Sequence, residues 1–164
     1  KMTTTVAPST TSIATTLPTW LTRLLSTADD LPLAIARLSL GLIILPHGLQ
    51  KTLGWFGGHG FSGTMGFFTE TMGIPALLAL LAITAESLGA LALIAGTLSR
   101  VAAFGIGVVM LVATAMHVSN GFFMNWSGQQ AGEGYEYHLL ALALSLVVIL
   151  GGGGKASVDR AITH

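Results

Sequence analysis

Four stretches of this chain approach the length of apolar helix that crosses a lipid bilayer: residues 31–49, 74–96, 101–118 and 135–151. Crossing takes about 20 apolar residues. The second and third stretches are joined by only "TLSR", which forces a tight hairpin. The fourth is short and stops at "GGGG", while Pro32 and Pro75 lie near the starts of the first two, where proline is tolerated. The expected fold is all-α: an integral membrane, antiparallel four-helix bundle. Small residues at four-residue spacing (Ala85/Gly89, Ala92/Gly96, Ala103/Gly107) suit close helix packing in lipid. Charged residues make up 9 % of the chain, against about 25 % in a soluble domain, and the net charge is zero. That balance points to the lipid bilayer as a partner and away from nucleic acid.

The flanks divide the chain further. Residues 1–30 read as a flexible Ser/Thr-rich arm with no apolar region of the signal-peptide kind. Within that arm, residues 19–30 place Trp20, Leu21, Leu24 and Leu25 at helical spacing, as in a short amphipathic helix lying on a membrane surface. Residues 31–154 form the transmembrane domain and 155–164 a tail. Lys1, Arg23, Arg100, Lys155 and Arg160 fall on one side of the four spans and only Lys51 on the other. Basic residues favour the cytoplasmic side, so both termini are expected to be cytoplasmic, with the loops at 50–73 and 119–134 facing outward.

Polar residues inside the spans are the candidates for function. Arg37 and Glu86 lie within the first two spans, where ionisable groups are costly and pair or line a polar cavity. Their depths, counted along the helices at about 1.5 Å per residue, differ by roughly 6 Å. An Arg37–Glu86 ion pair is therefore expected, with Arg100 as a rival partner. It would be either a clamp on helix register or a proton or head-group site. His47, His117 and His138 end or begin spans at the same outer end, and His59 lies in a loop that folds back toward them. Tyr135, Glu136 and Tyr137 share that level.

With no cysteine in the chain, disulfides, iron–sulfur ligation and thiol chemistry are excluded, and His, Glu, Asp and Tyr carry whatever chemistry there is. Several ligands suit the outer cluster. A quinone head group needs His, Tyr or Glu for its carbonyls and proton exchange, with aromatic walls from Trp55, Phe56, Phe122, Phe123 and Trp126. Bis-His haem ligation by His47 and His117 is a second option, and a metal ion drawing on His47, His117 and His138 a third. No pair has the His-x-x-x-His spacing, so either would be assembled between helices. Interfacial aromatics and histidines are also ordinary in their own right. There is no P-loop lysine and no nucleophile elbow.

The run "RLSLGLIILPHGLQKTLGWFGGHGFSGTMGFF", then "AITAESLGALALIAGTLSRVAA", then "HVSNGFFMNWSGQQAGEGYEYHLL", resembles the DoxX family from about residue 33 to 160. The individual motifs are loose, but their order and combination are specific. The resemblance implies a small four-helix protein of the bacterial cytoplasmic (inner) membrane, associated with redox systems and quinone. It implies recurrent polar positions at Arg37, His47, Gly48, Lys51, Glu86 and Arg100, with His117 and Glu136–His138 belonging to a subgroup.

Two functions follow as expectations. One is a membrane subunit of a quinone-dependent oxidoreductase system, working with membrane or periplasmic redox subunits or as a homo-oligomer. Glu86, Glu136 and His138 would then exchange protons, while Arg37, His47, Lys51, His117, Trp55 and Trp126 bind the cofactor. The other is a non-catalytic structural or assembly subunit of a larger membrane complex. A transporter is disfavoured, because four helices without a detectable inverted repeat do not suit alternating access.

Overall fold

The computed structural model describes residues 18–163, and the regular elements over that range are all helices. Residues 1–17 of the expected flexible arm therefore lie outside the described residues. A short helix α1 (Thr19–Leu25) precedes α2 (Leu31–Leu53), which begins where Asp30 accepts a hydrogen bond from Leu33 N at 2.8 Å. Pro32 occupies the first turn, where its missing N–H costs nothing. α2 continues past residue 49 through Gln50 and Lys51, so that lysine projects from a helix and not from a loop.

The segment after α2 is itself helical, with α3 (Gly60–Gly66) running into a π-turn at Phe67–Thr71. Next comes α4 (Ala76–Ala95), an apolar helix interrupted by a second π-turn at Ala85–Gly89. Gly96, at φ 71°, ends α4 in a left-handed conformation that a side chain would strain. After the short turn, α5 (Ser99–His117) runs back, and α6 (Glu136–Gly151) follows the second long loop. A last helix, α7 (Val158–Thr163), packs against α1.

α2, α4 and the segment 99–120 are each long and apolar enough to cross a membrane; α6, at 16 residues, is shorter. α2 packs on α3, α4 and α6, and α5 packs on α4 and α6. Leu40, Ile44, Ala90, Leu93, Ala103, Ile106, Met110, Ala141 and Val148 close into one buried apolar core between them. Outward-facing positions stay apolar too, among them Leu42, Leu77, Leu81, Leu88, Phe104 and Leu111. Such helices, hydrophobic all round, belong in lipid.

At one end of the core, polar groups tie the chain to itself. Arg37 is buried and donates to four carbonyls: Gly153 at 2.7 Å, Ile94 at 2.9 Å, Ala156 at 3.2 Å and Leu93. Arg100 donates to the carbonyls of Ile149, Leu150 and Ser26. Asp159 of α7 accepts from Leu98 N at 2.7 Å and Ser99 N at 2.8 Å, so one helix caps the N-terminus of another. Arg160 pairs with Asp29 at 3.0 Å. The expected Arg37–Glu86 pair does not form. Arg37 lies opposite Leu93, seven residues beyond Glu86 on α4, or about 10 Å along the axis. Backbone carbonyls at the end of α4 and in the segment after α6 take up its N–H groups instead.

A polar run from Lys51 to His117

The other end of the core holds the candidate site. Gly48 on α2 makes it possible, because its Cα rests directly on the α4 backbone. A Cβ there would stand 2.6 Å from Ser87 Cα and 2.7 Å from the Glu86 carbonyl carbon. Ser87 in turn donates to Ile83 O at 2.6 Å. The π-turn at Ala85–Gly89 is the kind of bulge that recurs at functional positions in helices. It carries Glu86, 4 % exposed, facing α2. One turn beyond Gly48, Lys51 reaches back along α2 to place its ammonium 2.6 Å from Glu86 Oε2. Lys51 thus takes the place beside Glu86 that the sequence reading gave to Arg37. Its aliphatic stem crosses apolar surface while its charge meets the buried carboxylate.

From this pair the polar groups continue across to α6 and α5. Glu86 interacts electrostatically with both His47 and Tyr137. The rings of His47 and Tyr137 lie 5.9 Å apart, those of Tyr137 and His138 5.5 Å, and those of His138 and His117 4.6 Å. His117 Nδ1 donates to Ala113 O at 2.8 Å, which fixes the tautomer of the neutral ring and leaves Nε2 as its acceptor. Tyr137 Oη is buried without a hydrogen-bond partner. His138 Nδ1 is also buried without a well-formed bond, feeling only the backbone of Tyr135. Buried polar atoms are normally paired, so these two orphans mark the run as unfinished by protein alone.

The other sequence-assigned residues distribute differently. Glu136 accepts from Trp126 Nε1 at 3.2 Å, and Trp126 is 84 % exposed, so this pair forms part of the loop and not of the buried run. Trp55 is exposed against Phe56 in a short 3-10 turn. Phe122 and Phe123 pack edge-to-face on one another. His59 stays exposed at the start of α3, beside Gly63. Arg37 belongs to the opposite end. The loop holding these aromatics is closed by Glu133, which accepts from Asn125 N at 2.9 Å. Sequence reasoning placed Tyr137 at the level of the histidines without giving it a role of its own; in the structure its ring lies between those of His47 and His138.

An apolar crevice of about 20 Å³ opens beside Tyr137 between α2 and α6, lined by Leu40, Ile43, Leu140, Ala141 and Leu144. That volume accommodates about one water-sized group. Among the described residues no group of three or more His, Asp or Glu side chains is arranged to hold a metal ion. The rings of His117 and His138 are stacked at a 32° tilt.

Residues 32–119 match the family model described as DoxX. The match contains Lys51, Glu86, His47 and His117 and stops short of Tyr137 and His138. No curated protein and no solved structure gives a significant match to the chain.

Proposed function

Because this chain belongs to the DoxX family of membrane proteins, we propose that it is a multi-pass membrane subunit of a redox system that handles protons for quinone in the bilayer. In this reading α2, α4, α5 and the shorter α6 all cross the membrane as an antiparallel bundle. Both termini face the cytoplasm, the His47–His117 end faces outward, and the membrane is the bacterial inner membrane. The bias of basic residues supports that orientation.

One observation carries the functional reading: an ion pair between half-buried Lys51 and buried Glu86 leads, through His47 and Tyr137, to two further histidines. A membrane protein keeps ionisable groups at that depth at considerable cost, and function is the default reason. The donor set fits quinone, since a carbonyl oxygen would complete the hydrogen bonding of Tyr137 Oη and His138 Nδ1. Quinone, when bound, would supply the two-electron, two-proton chemistry. Tyr137 would hold the head group by donating to it, and Glu86 would take up or return a proton. Lys51 holds the Glu86 carboxylate when it is charged. Leu40, Ile43, Leu140 and Leu144 offer an apolar wall for the lipid-like tail. The electron partner is a membrane or periplasmic redox subunit, with a second copy of this chain as the homo-oligomeric alternative.

The test is retention of quinone. Protein purified in mild detergent is extracted and its quinone quantified against protein, alongside Tyr137→Phe and Glu86→Gln. Near-stoichiometric quinone in the native protein, falling at least tenfold in Tyr137→Phe, is the expected result. Folded protein free of quinone would overturn the reading and leave the assembly-subunit role, in which the run only fixes helix register.

A further inference from the structure

We infer that Glu86 exchanges protons with one face of the membrane only, along the relay His117–His138–Tyr137–His47, and that the path ends at Glu86 as a half-channel. This rests on reading the run as proton-handling, and it adds a direction and an end point.

The direction comes from what lies on either side of Glu86. Toward the loop end, every step is a group that both takes and gives a proton. His117 has an acceptor nitrogen, His138 stacks on it at 4.6 Å, and Tyr137 follows 5.5 Å further on. Tyr137 Oη and His138 Nδ1 are not locked into bonds with the protein, so they are free to reorient or to bind a bridging water. Toward the other end, the path meets Ile44, Leu93, Ile106, Met110 and Val148, a closed apolar plug. Beyond it stand Arg37 and Arg100, whose guanidinium groups do not release protons and each donate to backbone carbonyls.

The groups facing Glu86 are consistent with a terminus. α2 contributes Lys51 and His47, and α6 contributes Tyr137. α5 has no ionisable residue between Arg100 and His117, and the nearest acid on the α3 side, Glu70, is exposed. Transfer balances without any tyrosinate. A proton from water binds His117 Nε2 and passes from that same nitrogen toward His138, while Nδ1–H stays on Ala113 O. Tyr137 takes a proton from His138 while passing its own onward by way of His47, and the Glu86 carboxylate becomes the neutral acid.

The experiment follows the carboxyl band of Glu86, assigned by its loss in Glu86→Gln, by infrared spectroscopy. The full chain is held in vesicles with one orientation, and pH is stepped on one face at a time. The band should respond to steps on the His117 face and not to steps on the Arg37 face. Tyr137→Phe and His138→Phe, which keep ring packing, should each slow the response at least tenfold. Equal response from both faces, no response at any pH, or unslowed response in both variants would overturn the inference. Quinone content measured on the same samples separates the two readings. A sided relay without quinone defeats only the quinone role, and retained quinone with no sidedness defeats only the relay.

Discussion

The Lys51 ammonium and the Glu86 carboxylate, 35 residues apart in sequence, meet at 2.6 Å with the lysine side chain 22 % exposed and the glutamate 6 %. Such a pair is costly to break and cheap to replace. Removing one member leaves the other charge unpaired, whereas two apolar residues of similar size restore packing. Lys51→Met should cost about 3 kcal/mol, held to the low end by the partial exposure of the ammonium. Lys51→Met combined with Glu86→Leu should recover most of that loss. Equilibrium unfolding of the single and double variants in detergent measures both, and additive losses would mean that the two residues are not coupled.

Gly48→Ala should displace the α4 backbone at Glu86 and Ser87, because the added methyl meets main chain and not a side chain that could rotate away. Overpacking of this kind costs about 1–3 kcal/mol. The thermal midpoint should fall, and quinone retention should fall with it, since the displaced turn carries Glu86.

Tyr137→Phe separates stability from function. The hydroxyl is buried without a partner, so removing it should leave stability unchanged or raise it by about 1 kcal/mol. Quinone retention and proton exchange should nonetheless drop. A clear loss of stability would show that the hydroxyl has a structural bond.

Asp159→Ala should remove the two hydrogen bonds that start α5 at Leu98 and Ser99. Loss of a cap costs about 1–2 kcal/mol, and here it also removes a negative charge near the Arg37 guanidinium. Thermal unfolding of Asp159→Ala against Asp159→Asn, which keeps an acceptor, should show the greater loss in alanine.

The chain has no cysteine, so single introduced cysteines report sidedness without background. Gln129→Cys should react with a membrane-impermeant thiol reagent on intact cells. Lys155→Cys should react only after the membrane is opened. The reverse pattern would invert the proposed orientation.

Much of this was legible in the sequence, for a physical reason. Apolar length alone marks the helices, and Pro32, Pro75, "TLSR" and "GGGG" punctuate them. The clustering of His47, His117 and His138 at one end follows from counting positions along the helices. Pairing across helices was not legible. It depends on how far α2 slides along α4, which is set by Gly48 seated on Glu86 and Ser87 and by the π-turn beneath them. Counting from span ends matched Glu86 with Arg37 and assigned Lys51 to a loop. The structure continues α2 two turns past His47 nearly to Gly54, which brings Lys51 over Glu86. Asp159 was equally out of reach, since a tail residue capping α5 leaves no local pattern.

The short α6 has a mechanical consequence. Sixteen residues rise about 24 Å, some 6 Å less than the hydrocarbon thickness of an average bilayer. The proposed bundle makes α6 a crossing helix, and where such a helix is too short, lipid thins to meet it. The membrane beside α6 should therefore be pinched, drawing head groups and their water down toward Tyr137 and His138 at its first turn. The protein would then shape the lipid next to its own polar groups, so that bilayer thickness becomes a variable its chemistry responds to.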